Sequence, residues 1–336
     1  MESKVDFASL SLFPATRAQV EESWCRTWPQ WGGTLSLTEY LAREVEMESM
    51  DHAKDGKFIT WVLAPRDDPT TLNFMCSCET FKRSGLVAYP SSSTSEPNSV
   101  HEVTCYAIAS VFTPPSKRGR GYASHMMSLL HWVIASRVNL PKFPEAWGAP
   151  PEQVAEASEG LFSCLYSDVG EDFYRSAGPG GKEGGWETQG AVSTIWDVGA
   201  EEGDDNEWTW LTQEQLNGLW DRDAGRIKKE LEKMLTSDTS YEVERPAAFV
   251  TCLPTNGVCG FHISRSTDIP GLISKIRQAA RRSGIGKVEV WKLGEGLRGI
   301  AERTGGQTGI RNEHLPQMMW YGPGTMGNIE WAYNEK

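Results

Sequence analysis

No run of eighteen apolar residues occurs in the chain, and its first thirty residues lack a basic start followed by an apolar stretch. Neither a spanning helix nor a secretory leader is therefore expected, and the cytosol is the default location. Cysteine offers little to build on. Seven thiols at irregular spacing, without tandem C-x-x-C pairs, make neither a disulfide framework nor a zinc ribbon and read as reduced thiols. Cys76 and Cys78 alternate along a strand-like run, where burial as small apolar residues fits better than metal binding. No Gly-x-Ser-x-Gly elbow and no His-Glu-x-x-His appears, which removes the serine hydrolases and zinc proteases built on those motifs. Positive charge is scarce: 33 Lys and Arg stand against 45 Asp and Glu, a net charge of −12. That balance argues against tracking a nucleic-acid backbone and favours a cationic small partner.

Against these absences stand fourteen tryptophans and a 39% hydrophobic content, enough for packed cores, over 336 residues, a length that suits two domains. From Thr16 to Glu48 the pattern is helical in two pieces, interrupted at Trp28–Gly33. Phe58 to Ala64 and Leu72 to Phe81 read as an antiparallel hairpin around Pro65–Pro69. A polar low-complexity loop at 90–99 precedes a longer strand from Val103 to Phe112. Later come a strand at Leu161–Tyr166, a short helix around Glu171–Ala177 and a strand at Val192–Val198. The acidic run 201–211 reads as a linker between residues 1–200 and a second, α+β domain over 212–336. In that second part the spacing predicts a helix from Thr212, strands at Phe249–Leu253, Gly260–Ile263 and Lys287–Leu293, and a helix over Leu272–Arg282.

The segment "SVFTPPSKRGRGYASHMMSLLHWV", Ser110 to Val133, concentrates positive charge and glycine at the mouth of a helix. Ala123, Met126, Met127, Leu130, Val133 and Ile134 recur at helical spacing, so the helix begins near Gly121 and lays one face on the sheet. Four backbone N–H groups at such an end have no intrahelical partner, and Gly119 and Gly121 let an anion approach them closely. The arrangement suits a pyrophosphate. The glycine spacing fits neither a Walker loop nor a three-glycine dinucleotide turn.

Arg118-Gly119-Arg120-Gly121-Tyr122-Ala123 resembles the R-x-x-G-x-A/G signature of the GNAT acetyltransferases, and "LYSDVGEDFYRSAG" (Leu165–Gly178) is similar to their later segment. "SCETF", "LYSDVG" and the C-terminal "WYG…IEWAYNEK" further resemble the fungal lysine N6-acetyltransferase family, which adds a C-terminal domain to the GNAT core. The resemblance implies a GNAT fold, with a central, mostly antiparallel, splayed mixed sheet flanked by helices. It implies acetyl-CoA as co-substrate, no metal, and direct transfer of acetyl to the side-chain amine of free lysine or a related small amine. Arg118, Gly119, Arg120, Gly121, Tyr122 and Ala123 would hold its pyrophosphate, with Tyr122 packing inside the loop. Backbone N–H groups beside Val111, Phe112 and Thr113 would pair with the pantetheine arm and polarise the thioester. Tyr174 would protonate the departing thiolate.

Glu79 and Glu102 are the candidates for the base, or for holding the substrate ammonium. Asp168 is expected to cap the short helix. Trp320, Tyr321 and Trp331 either wall a substrate pocket or form the second core. The expected partner is a small-molecule amine, with no nucleic acid and no membrane, and a homodimer is left open. Rival readings are an acetyltransferase of protein lysines, N-termini or a secondary-metabolite amine, and a non-catalytic acyl-CoA-binding module.

Overall fold

The computed structural model describes residues 5–89, 99–199, 212–236, 248–253 and 269–333. After strand β1 (Leu10–Pro14), helices α1 (Arg17–Trp31) and α2 (Leu37–Glu48) each start at a capping box, Thr16 with Gln19 and Ser36 with Glu39. In both, side chain and backbone N–H satisfy each other reciprocally. Pro29 lies in the last turn of α1, so the break expected at Trp28–Gly33 falls at its C-terminal end. There the Trp28 side chain would sit 2.3 Å from any Cβ at Gly32, and the chain turns into α2. Val20, Trp24 and Tyr40 bind the two helices into a cap.

The hairpin pairs β2 (Phe58–Pro65) with β3 (Cys76–Tyr89), antiparallel as expected, but β3 starts later and runs further than its sequence pattern suggested. Its length has a purpose. One edge pairs with β4 (Ser99–Phe112) almost throughout, while the other is divided between β2 and β8 (Ala248–Cys252). From β4 the chain passes through helix α3 (Tyr122–Ile134) to β5 (Phe162–Ser167), which runs parallel to β4. A single turn of helix, α4 (Asp172–Arg175), and a two-residue strand, β6 (Glu187–Thr188), follow.

The strand expected at Val192–Val198, β7 (Val192–Asp197), stands outside the main sheet and pairs with β9 (Lys287–Trp291) and β10 (Gln307–Ile310). The place beside β5 is taken by β11 (Leu315–Trp320), antiparallel over six residue pairs. With β12 (Ile329–Tyr333) lying parallel to β8, the nine-stranded sheet draws β8, β11 and β12 from beyond residue 212. The small sheet takes β7 from before it. Helix α5 (Gln213–Thr236) covers the β3–β8 region through Ile227, Leu231 and Leu235. Helices α6 (Ile269–Arg282) and α7 (Glu295–Arg303) enclose Trp196 with Ile273, Leu293 and Ala301. The strand expected at Gly260–Ile263 and the acidic linker lie outside the described residues.

Helix α3 is buried on more than one face. Every residue from His125 to Ile134 is buried, because the loop carrying Phe143 and Trp147 covers the side turned from the sheet. Among the described residues no helix is long and apolar enough to cross a membrane.

Candidate active site

Strands β4 and β5 are held together only between Cys105–Ala107 and Phe162–Cys164, yet β4 continues to Phe112 and β5 to Ser167. Beyond that short ladder they part, giving the splay. On its β4 side the ladder with β3 is interrupted: Ser77 faces Phe112 while Glu79 faces Ala109, so β4 carries one residue more than β3 around Ser110. Ser110 has a φ of +52°, the backbone signature of this bulge. A bulge leaves a residue out of the ladder. It therefore leaves Ser110 and Val111 out of the ladder beside the opening, next to the stretch where Val111, Phe112 and Thr113 were expected to act.

Alternation along β3 sends neighbouring side chains to opposite faces of the sheet. Cys78 joins the core around α3, whereas Glu79 turns to the α1–α2 cap and accepts a hydrogen bond from the Trp24 indole at 3.3 Å. Burial pushes the Glu79 carboxyl up to about 7; hydrogen bonds from Ser110 and Trp24 oppose the rise, and Glu44 and Glu48 add to it. A carboxyl balanced near neutrality beside the splay can take a proton or hold a cation. Glu102 is exposed near the opposite end of β4, eight positions from Ser110 and so about 26 Å away along the strand. The structure does not bring it to the opening.

Tyr174 belongs to the other face. It is buried in α4, edge-on to Phe173 and Trp186, in the same cluster as Cys78 and Leu165. Burial raises its phenol above the ordinary value, with the neighbouring Cys78 and Asp168 adding to the rise. A phenol held protonated is a proton donor. The backbone of α4 is pinned by Trp186, whose N–H donates to the Tyr174 carbonyl at 3.2 Å.

The glycine loop keeps its expected form. Gly119 and Gly121 have φ of +76° and +81°, and Gly121 is the left-handed N-cap of α3 without a side-chain cap. The first helical bond to the cap runs from His125 N–H to Gly121 O, leaving the N–H groups of Tyr122, Ala123 and Ser124 without helical acceptors. A Cβ at Gly119 would meet open space, whereas one at Gly121 would come within 3.2 Å of Phe7. Tyr122 is buried against Phe7, the packing role expected of it.

The loop's cations divide their duties. Lys117, expected to add to the positive cluster, is a strap: its ammonium donates to Asn73 O, Asn73 Oδ1 and Phe74 O at 2.6 to 2.8 Å. Arg118 bonds Thr113 O through Nε at 2.9 Å and lies over the Phe112 ring, bracing the loop's entry. Arg120 is exposed on the same turn.

Asp168 departs from its expected capping role. Its carboxylate receives the His314 backbone N–H at 2.9 Å and pairs with the His314 ring at 2.8 Å, tying the end of β5 to the turn before β11. Trp320 and Trp331 are core residues of the cluster on the face opposite Tyr174.

Tyr321 has a role that sequence reasoning did not anticipate. In a buried chain, the Trp186 indole donates to Ser163 Oγ at 2.9 Å, Ser163 and Tyr321 hydroxyls meet at 2.9 Å, and Tyr321 meets His131 Nδ1 at 2.8 Å. His131 Nε2 then reaches Ala177 O at 2.9 Å, and its ring stacks on Trp186 at 4.1 Å. Burial lowers His131 to about 4, so the ring is neutral, donating through Nε2 and accepting the Tyr321 O–H at Nδ1. This chain joins β11, α3 and the segment after α4, and so fixes the helix that carries Tyr174. His131 read as a core position in the helical pattern, and no sequence signal linked it to a tyrosine 190 residues away.

Residues 266–336 match the family model described as the LYC1 GNAT-like C-terminal domain. The chain is 28% identical over 150 residues to a lysine acetyltransferase of Yarrowia lipolytica, a match covering 44% of this chain and 35% of that protein. It thus spans about a third of the length of this curated relative. Among solved structures, GCN5-related N-acetyltransferases from Kribbella flavida and Anabaena variabilis each align at 12% identity with a TM-score of 0.47. The alignments cover 92% and 93% of this chain and 70% and 73% of theirs, respectively. The likeness to known sequences is thus to the LYC1 GNAT-like C-terminal domain over residues 266–336, and to part of that lysine acetyltransferase over 150 residues.

Proposed function

We propose that the chain is an acetyl-CoA-dependent N-acetyltransferase acting on a primary amine, with the side-chain amine of free L-lysine as the favoured acceptor. One observation carries the reading: a carboxyl near neutrality and a protonated phenol lie on opposite faces of the sheet, Glu79 and Tyr174, close to where β4 and β5 part. Acetyl transfer to an amine needs that division, because the amine approaches from one side and the thiolate departs on the other. The similarity to the Yarrowia lipolytica lysine acetyltransferase supports the acceptor.

Acetyl-CoA would supply an activated thioester whose thiol is the leaving group. Its pyrophosphate would meet the open N–H groups of Tyr122, Ala123 and Ser124 over Gly119 and Gly121, where among the described residues nothing lies within 4 Å of a Cβ built at Gly119. Arg118 and Arg120 would add positive charge there. Backbone N–H groups at the bulge around Val111 would polarise the thioester carbonyl. Glu79 would take the proton that the acceptor nitrogen must lose, and Tyr174 would give its hydroxyl proton to the thiolate. Net charge of −12 would draw a cationic acceptor towards the protein.

The test is thiol release from acetyl-CoA against free lysine, ornithine, polyamines, amino sugars and lysine-containing peptides, with the acetyl position mapped in the product. Release with free lysine and acetyl on the side-chain nitrogen is expected. Release with peptides alone would transfer the reading to protein lysines, and acetyl-CoA binding without release to any amine would reduce the chain to a binding module.

A further inference from the structure

Arg311 follows β10 and begins the turn that Asp168 fastens to the end of β5 through His314. Its backbone N–H donates to Ala191 O at 2.9 Å and its Nε to His314 O at 3.1 Å, so both ends of the side chain are set. The guanidinium carbon lies over the Trp291 ring, 3.8 Å from its centre. Both terminal nitrogens are buried, and neither has a hydrogen-bond acceptor among the described residues. A fork of donors held in place and left without an acceptor is unusual in a native interior, because buried donors of this kind are costly unless paired. The geometry of two parallel N–H groups suits a carboxylate, which a guanidinium binds in bidentate fashion.

The position of this fork relative to the splay gives it meaning. Trp291 packs on Tyr166 at 5.5 Å, and Tyr166 packs on Trp331 at 6.1 Å, on the face of the sheet opposite Tyr174. Alternation along β3 puts Glu79 on the same face as Val87, a member of that same cluster. Ala107 pairs with Cys164, so two residues further on Ala109 stands across the opening from Tyr166, and Ala109 is the partner of Glu79. Glu79, the opening, Tyr166 and then Arg311 thus follow one another along one face.

We infer that Arg311 is the anchor for the α-carboxylate of the acceptor, and that the acceptor is therefore an α-amino acid with a side-chain amine rather than a simple diamine. This rests on the acetyltransferase reading above. The acceptor's carboxylate would bridge the two terminal nitrogens, its chain would run along Tyr166, and its terminal amine would reach the splay at Glu79.

Cadaverine is lysine without the carboxylate and is the discriminating probe. For the wild-type chain, kcat/KM for lysine should exceed that for cadaverine by on the order of 10²-fold or more, since a site built around a substrate's polar group rejects an analogue lacking it. In Arg311→Gln that preference should fall to near one, mainly through KM for lysine. Arg311→Lys, which keeps the charge and loses the fork, should recover part of it. Thermal melts of both variants separate loss of the anchor from loss of the fold. Calorimetric titration of lysine and cadaverine into the wild-type chain with CoA present reads the anchor without turnover. If no amine supports thiol release but lysine binds, cadaverine does not, and Arg311→Gln loses the lysine heat, the anchor stands while the acetyltransferase reading fails. Equal binding or equal turnover of lysine and cadaverine by the wild-type chain, no binding of lysine, or an unchanged preference in a folded Arg311→Gln, overturns the anchor.

Discussion

Replacing Glu79 by glutamine tests the site at its most constrained point. The side chain is 7% exposed, and burial lifts its carboxyl from the ordinary 4.5 to about 7. That rise corresponds to a charging cost in the folded state of about 3 kcal/mol. The sign follows from proton binding. Between pH 4.5 and 7 the folded chain holds the proton that the unfolded chain has released, so stability from this group is full below pH 4.5 and is lost as pH rises through 7. Glutamine keeps an oxygen for the Trp24 indole and carries no charge. Glu79→Gln should therefore match the wild type at pH 4.5 and gain up to about 3 kcal/mol on it by pH 8.5, read by urea unfolding at both pH values. Activity should move the other way. As the base, Glu79 should give kcat/KM a rising limb near pH 7, and the variant should lose that limb and about 10² to 10³ in rate. A surviving limb at the same pH in a folded variant refutes Glu79 as the base. Equal stability of the two proteins at pH 8.5 refutes the buried-carboxyl argument itself.

Four further outcomes are expected. Tyr174→Phe should lower kcat by about 10²-fold with acetyl-CoA affinity unchanged, since the phenol acts on the departing thiolate; pre-steady-state thiol release and equilibrium binding distinguish the two effects. Gly121→Val would place a β-branched residue at a φ of +81° with its Cβ 3.2 Å from Phe7, so calorimetry should show acetyl-CoA binding weakened at least about tenfold. Tyr321→Phe leaves His131 Nδ1 without its donor and Ser163 with the Trp186 indole but no acceptor in Tyr321, and should cost about 1 to 3 kcal/mol in urea unfolding together with a fall in kcat greater than any change in KM. His131 sits near 4 against an ordinary 6.5, so the wild type should lose stability as pH falls between those values, and His131→Gln should flatten that slope.

Local rules in the sequence determined most of the elements. Helical spacing from Ala123 to Ile134, the β-rich apolar run at Phe58–Ala64 and the glycines at 119 and 121 each act within a few residues, and the helix, the hairpin and the glycine-led helix start followed from them. The unusual placing of an apolar-flanked carboxylate at Glu79 was also legible, because a strand pattern that should bury the position sits badly with a lone charge. Tertiary structure alone decided which strand lies beside β5. Pairing is chosen by long-range packing that no local period encodes. For the same reason Asp168 met His314 instead of its own helix, and Tyr321 met His131 instead of a second core. Arg311 was one cation among 33 in the sequence. Only the fold laid it on Trp291 with both terminal nitrogens buried and without an acceptor among the described residues, on the side of the sheet that holds Glu79.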